Sequence, residues 1–289
     1  MARRRFARRA VRRFMPGEKA EDALRAARSL ADQKIGTVLT QLGENLTSLD
    51  DAAQVRDHYI GLLETVKTLA LPSWPSVKPT QLGVDLSFDA CLANCEAIAA
   101  KAESAGSLLW IDMEDSSYVD RTLELFRRLR QRHERVGLAL QAYLYRTPTD
   151  LEALLPLRPV IRLVKGAYNE PPTVAFPAKR KVDAAYFDLA GRLLEAAARD
   201  GCFPVFGTHD MRLVSLIARR AADLNLTDGR YEIHMLYGIR PHDQRRLVSE
   251  GRVVRTLISY GSAWFPWYMR RLAERPANVW FVVRSMLAS

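Results

Sequence analysis

Cysteine is scarce in this chain of 289 residues: Cys91, Cys95 and Cys202 are the three present. They form no metal-like cluster, and no histidine adjoins the close pair in sequence. A disulfide scaffold is excluded, a metal centre has no support, and a reducing cytoplasm is the compartment that fits. Cys91 and Cys95, four apart on an expected helix, read as small buried residues. Long apolar runs are missing too. None reaches the ~18 residues needed to span a bilayer, so no transmembrane helix is expected. The N-terminus MARRRFARRAVRRF has no apolar segment of the kind a secretory signal carries. A glycine-rich GxGxxG turn is absent after the first expected strand, which leaves a Rossmann-type cofactor site without support. No nucleic-acid recognition motif occurs, and the basic residues of the body are interspersed with acids, so nucleic acid is not an expected partner.

What is present fits one large domain: 48% of residues are hydrophobic and 26% charged. The net charge of +10 is unevenly spread, because Arg3, Arg4, Arg5, Arg8, Arg9, Arg12 and Arg13 all fall within the first 13 residues. Residues 1–13 are therefore read as a basic tail on a domain covering 14–289. Such an arm suits peripheral contact with an anionic membrane face, or a solvated tail.

Short apolar runs alternate with amphipathic segments. Strands are expected at 36–42, 77–83, 108–113, 138–143, 160–165, 203–208, 231–236 and 253–258. Between them lie SFDACLANCEAIAAKAES, YVDRTLELFRRLRQRH and YFDLAGRLLEAAARD, apolar at three- and four-residue spacing. The alternation points to an α/β fold, a (βα)8 TIM-type barrel preceded by a helical arm near 17–34; a doubly wound sheet would share it.

Barrel enzymes place their chemistry at the C-terminal ends of the strands. Those ends carry Glu44, Lys78 with Gln81, Asp112 with Glu114, Gln141 with Tyr143, Arg162 with Lys165, Thr208 with His209, and His234. Any one of these could cap a loop, but their recurrence on strand after strand marks a site. Near the end of the chain, Arg270 and Arg271 stand in WFPWYMRRLAERPANVWFVV, with Glu274 one turn beyond Arg270. Two guanidiniums among so many aromatics suit a bidentate grip on a small carboxylate, or else mark a solvated basic edge.

The segments KPTQLG, IDMED, QAY, RLVKGAY, THD, EIHMLYG and YMRRLAE, in that order, resemble the motif series of the proline dehydrogenase catalytic domain. The likeness runs from about residue 14 to the end and is to the short monofunctional form. It implies a distorted (βα)8 barrel that binds FAD noncovalently and passes electrons from proline to a quinone or another acceptor. In that scheme Arg270 and Arg271 hold the substrate carboxylate, Lys78 adds positive charge, and Glu274 orients the pair. Asp112 is an active-site carboxylate, and Arg162 lies near flavin N5. Met113, Gln141, Lys165, Gly166, Ala167, Thr208 and His209 match cofactor-contacting positions, with Leu236 near the pocket; no metal is implied. Gly166 has a physical reason, since a residue without a side chain lets backbone approach the cofactor.

Two positions depart from the family pattern. Leu257 stands where a tyrosine lines the substrate ring, and His234 where a glutamine is more usual, which would alter hydrogen bonding near the flavin. Tyr260, three residues beyond Leu257, is expected to point to the opposite face of the strand. Leu257 opens an alternative, a related flavoenzyme acting on another cyclic or N-substituted amino acid. A non-flavin barrel enzyme is the second alternative, for instance a Schiff-base aldolase using Lys78 or Lys165, or a binding module.

Overall fold

A computed structural model describes residues 14–43 and 46–264. Eight parallel strands close into a barrel in sequence order: β1 Gly36–Gln41, β2 Ser73–Val77, β3 Leu109–Ile111, β4 Val136–Gln141, β5 Val160–Val164, β6 Phe203–Gly207, β7 Glu232–Leu236 and β8 Val254–Tyr260. Closure is made by β1 against β8, from Gly36 opposite Arg255 to Gln41 opposite Tyr260. The doubly wound alternative is thereby removed. The helices are α1 Ala20–Ala31, α2 Leu49–Thr68, α3 Phe88–Ser104, α4 Val119–Arg130, α5 Thr147–Leu154, α6 Lys179–Ala198, α7 Met211–Asp223 and α8 Pro241–Ser249. Side-chain oxygens start several of them: Ser48, Ser87 and Asp210 are N-caps that accept the backbone N–H of Asp51, Ala90 and Arg212. The helical arm, α1, buries Ala23 and Ala27 and packs on β1 and β8. Among the described residues, no helix is long and apolar enough to cross a membrane.

One expected strand is corrected. Segment 77–83 is not extended; β2 lies earlier, and Pro79–Leu82 forms a 3-10 turn that ends on Gly83 at φ 92°. Proline at the first helical position and a glycine able to take the left-handed conformation dictate that turn. The ladder between β1 and β2 runs only from Thr37 opposite Ser73 to Leu39 opposite Pro75. Beyond it the Tyr59 hydroxyl takes over, accepting from Gln41 N and donating to Ser76 O, each at 2.9 Å.

Alternation along the strands sends one set of side chains to the helices and the other into the bore. The floor of the bore is apolar and aromatic, with Val38, Leu108, Trp110 and Val205 fully or nearly fully buried and Trp74, Val160, Phe203 and Leu257 against them. Gly137, opposite Trp110 on the neighbouring strand, makes the room: a Cβ there would lie 2.7 Å from the indole. Polar groups thread this floor. Arg255 stacks on Trp74 and donates to Glu232 Oε2 at 2.8 Å, and the same oxygen holds His234 Nε2 at 3.1 Å. The His234 ring meets Trp110 edge-on at 5.7 Å.

Candidate active site

Above this floor, at the C-terminal ends of the strands, lies a cavity of about 730 Å³. That is within the range of small-molecule and cofactor pockets. Lys78, Asp112, Met113, Gln141 and Arg162 line it, together with Lys165, Gly166, Ala167, Thr208 and His209. His234, Leu236 and Leu257 line it as well. Arg270, Arg271 and Glu274 lie outside the described residues, as does Glu44.

Asp112 is the electrostatic hub. Its Oδ2 is 3.2 Å from Lys78 Nζ, and its Oδ1 accepts from Ser76 Oγ at 2.8 Å and from Arg162 Nη2. Arg162 Nη2 also donates to Ser76 Oγ at 3.1 Å, and its guanidinium lies 4.6 Å over the Trp110 ring. Burial pushes the Asp112 carboxyl up, but the Lys78 and Arg162 cations outweigh it and hold the group below its ordinary range. Among the buried atoms of the residues lining this cavity, Arg162 Nη1, Gln141 Oε1 and His234 Nδ1 have no hydrogen-bond partner. Native interiors rarely leave such atoms unpaired, so they mark where a ligand completes the structure. Burial lowers His234 from 6.5 to about 4, against the pull of Glu232, so the ring is neutral at pH 7. With its Nε2 against a carboxylate it carries the proton there, and Nδ1 is an acceptor.

The opposite rim is built from charge pairs. Lys165 bridges Asp183 and Asp210, the latter at 3.5 Å; Lys179 joins Asp183, and Arg212 lies 3.7 Å from both carboxylates. His209 Nε2 accepts the Leu236 N–H at 2.8 Å, which puts its ring proton on Nδ1. Thr208 Oγ1 accepts the Asp210 N–H at 3.1 Å. Gly166 has φ +116°, and a Cβ there would sit 2.3 Å from the Tyr143 ring. The reason for glycine at 166 is thus visible without any bound molecule. Leu257 lines the cavity, whereas Tyr260 is buried on the other face with its hydroxyl 2.8 Å from His58 Nε2. Tyr260 does not replace the missing hydroxyl.

Two of the strand-end residues do other work. Glu114 caps the turn after β2, accepting from Thr80 N at 3.0 Å and Thr80 Oγ1 at 2.6 Å, and Gln81 donates to Gln41 O at 2.9 Å. Sequence reasoning missed Thr40 and Ser259 on the wall, Ser76 against Asp112 and Arg162, and Asp183 against Lys165. Ser76 was findable, since it lies one step of the alternation below Lys78.

A model of the proline dehydrogenase family matches residues 23–284. Proline dehydrogenase of Deinococcus radiodurans is 39% identical over 280 residues, covering 95% of this chain and 89% of that one. Proline dehydrogenase 1 of Bacillus subtilis strain 168 is 35% identical over 277 residues, covering 96% and 90%. The chain belongs to the proline dehydrogenase family. It is therefore an oxidoreductase, which sets aside a lysine-based aldolase and a binding module. The barrel of this proline dehydrogenase family member is similar to part of proline utilization A from Bdellovibrio bacteriovorus, with TM-score 0.84 and 24% identity. That match covers 91% of this chain and 32% of the other, so the chain spans about a third of its length.

Proposed function

We propose that this enzyme oxidises L-proline to 1-pyrroline-5-carboxylate with FAD as hydride acceptor and a quinone-type compound as the onward acceptor. The observation that carries the reading is the Lys78–Asp112–Arg162 group on a wall where Arg162 Nη1, Gln141 Oε1 and His234 Nδ1 are buried without partners. One buried donor and two buried acceptors fit the mixed polar edge of a flavin. Bound FAD supplies a site, N5, that takes a hydride from the carbon next to the substrate nitrogen.

The chain's own residues do the rest. Arg162 supplies positive charge where negative charge develops, and Asp112 fixes its orientation and that of Lys78. Gln141, Lys165, Gly166, Ala167, Thr208 and His209 hold the cofactor, with Met113, His234 and Leu236 beside it. Arg270 and Arg271, oriented by Glu274, clamp the substrate carboxylate with help from Lys78, so that the reacting C–H bond is held in place. Residues 1–13 carry the enzyme to the inner face of the membrane by charge.

The purified protein should be yellow, and its flavin absorbance should bleach on addition of proline under anaerobic conditions. A colourless protein that takes up no FAD would end this reading. Arg270→Ala or Arg271→Ala should raise KM for proline at least tenfold with FAD content unchanged; equal loss of both would remove the clamp.

Leu257 favours a second reading within the same chemistry. An isobutyl group on the wall gives a roomier, apolar surface, which suits another cyclic or N-substituted amino acid. Pipecolate and N-methylproline assayed beside proline decide between them.

A further inference from the structure

Two charges in the floor of the bore have no task in the reading above. Glu232 on β7 is buried and Arg255 on β8 nearly so, their side chains 7% and 12% exposed. An apolar pair of similar volume would often serve stability as well as a buried ion pair does, so stability alone is a weak reason for these two. The pair is aimed at one atom. Arg255 is fixed at three points: it stacks on Trp74, gives Nη1 to Pro72 O at 2.9 Å and gives Nε to Glu232 Oε2 at 2.8 Å. The oxygen so fixed is the one that meets His234 Nε2 at 3.1 Å.

Burial pushes the Glu232 carboxyl up, but His234 and Arg255 outweigh it and hold the group below its ordinary range. It is ionised at pH 7 and can only accept, so His234 must donate through Nε2. Groups facing the ring from other strands oppose a second proton: Arg162 on β5 and Arg255 on β8 are cations, and Trp74 on β2 and Trp110 on β3 are aromatic. The imidazole is thereby held in one neutral tautomer, and its buried, unpartnered Nδ1 is a fixed lone pair on the cavity wall. A glutamine at 234 could turn either end of its amide to a ligand; this ring offers an acceptor alone. The ring system of oxidised FAD carries a single N–H, on N3, amid several acceptors. A fixed acceptor selects that edge.

We propose that Glu232 and Arg255 are positioning residues which, through the His234 tautomer, hold the N3–H edge of the flavin ring against Nδ1 and tune its redox potential. This rests on the FAD binding proposed above. Reduction brings negative charge onto the ring, and a lone pair facing it opposes that charge, so the arrangement favours the oxidised form. A His234 released from Glu232 can turn an Nδ1–H to the ring instead and favour the reduced form. The experiment is nitrogen-15 NMR of protein labelled at its 5 histidines, without and with FAD, using His234→Gln to assign the signal. Nδ1 of His234 should carry no proton in either state, and its resonance should move upfield as FAD binds. In FAD-loaded Glu232→Gln the midpoint potential of the flavin should rise by about 30 mV, a tenfold change in preference for reduced over oxidised cofactor. A protonated Nδ1, a resonance that bound FAD leaves in place, or a variant potential equal to that of the wild type overturns the proposal and leaves FAD binding intact. If Glu232→Gln fails to fold once Arg255 loses its carboxylate, the wild-type resonance decides alone. Protein that takes up no FAD would overturn the underlying chemistry as well.

Discussion

Asp112 shows how much of this site is mutual neutralisation. Its carboxylate is the contact shared by Lys78 and Arg162, and Arg162 is only 4% exposed. Removing it leaves two cations facing each other in a poorly solvated space. Asp112→Ala should cost roughly 3 kcal/mol in unfolding free energy by urea titration. Asp112→Asn, which loses the same charge but keeps an acceptor for Ser76, should cost less; equal losses would mean that the acceptor adds nothing and that charge is what the residue contributes. Residues of this kind were legible in the sequence because a charged side chain at a strand end has few other uses. Thr40 and Ser259 were not, since a small hydroxyl looks the same in a core, at a cap or on a binding wall; Ser76 was legible only through its place one step of the alternation below Lys78.

At the scale of elements, alternation between apolar runs and amphipathic segments was enough to place the barrel and most of its strands. It failed at 77–83, where KPTQLG has apolar and polar residues in strand-like order but Pro79 and Gly83 impose a turn. The hydrogen bonds that β2 gives up are made instead by Tyr59, a side chain on α2 that no local pattern could assign to a gap between β1 and β2. The loop after β5 has a comparable dependence on a distant partner. Gly166→Ala forces a side chain into a left-handed backbone conformation and against Tyr143, and should cost roughly 2 kcal/mol. In a Tyr143→Ala background the cost should shrink toward the backbone share alone. An unchanged cost in the double-mutant cycle would show that the ring is not the obstacle.

For the whole molecule, the polar thread along the bore makes stability depend on pH. His234 is held neutral, at about 4 when folded against 6.5 when free. Between those values the unfolded chain binds more protons, so the contribution is complete above pH 6.5 and is lost as the pH falls toward 4. It amounts to roughly 3 kcal/mol. The midpoint of urea unfolding should drop across that window, and His234→Gln should flatten the drop. A midpoint as steep in the variant would assign the window to other groups. Asp112 and Glu232, both held below their ordinary ranges, act lower, losing their contribution as the pH falls through their folded values. The fit of Trp110 against Gly137 has a different kind of consequence. A Cβ at 137 has nowhere to go while the indole is there, and a smaller ring at 110 leaves a void while the glycine is there. Neither position can change first without loss, so a change at one calls for a matching change at the other. Descendants that refill the bore must cross a fitness valley or exchange both residues together.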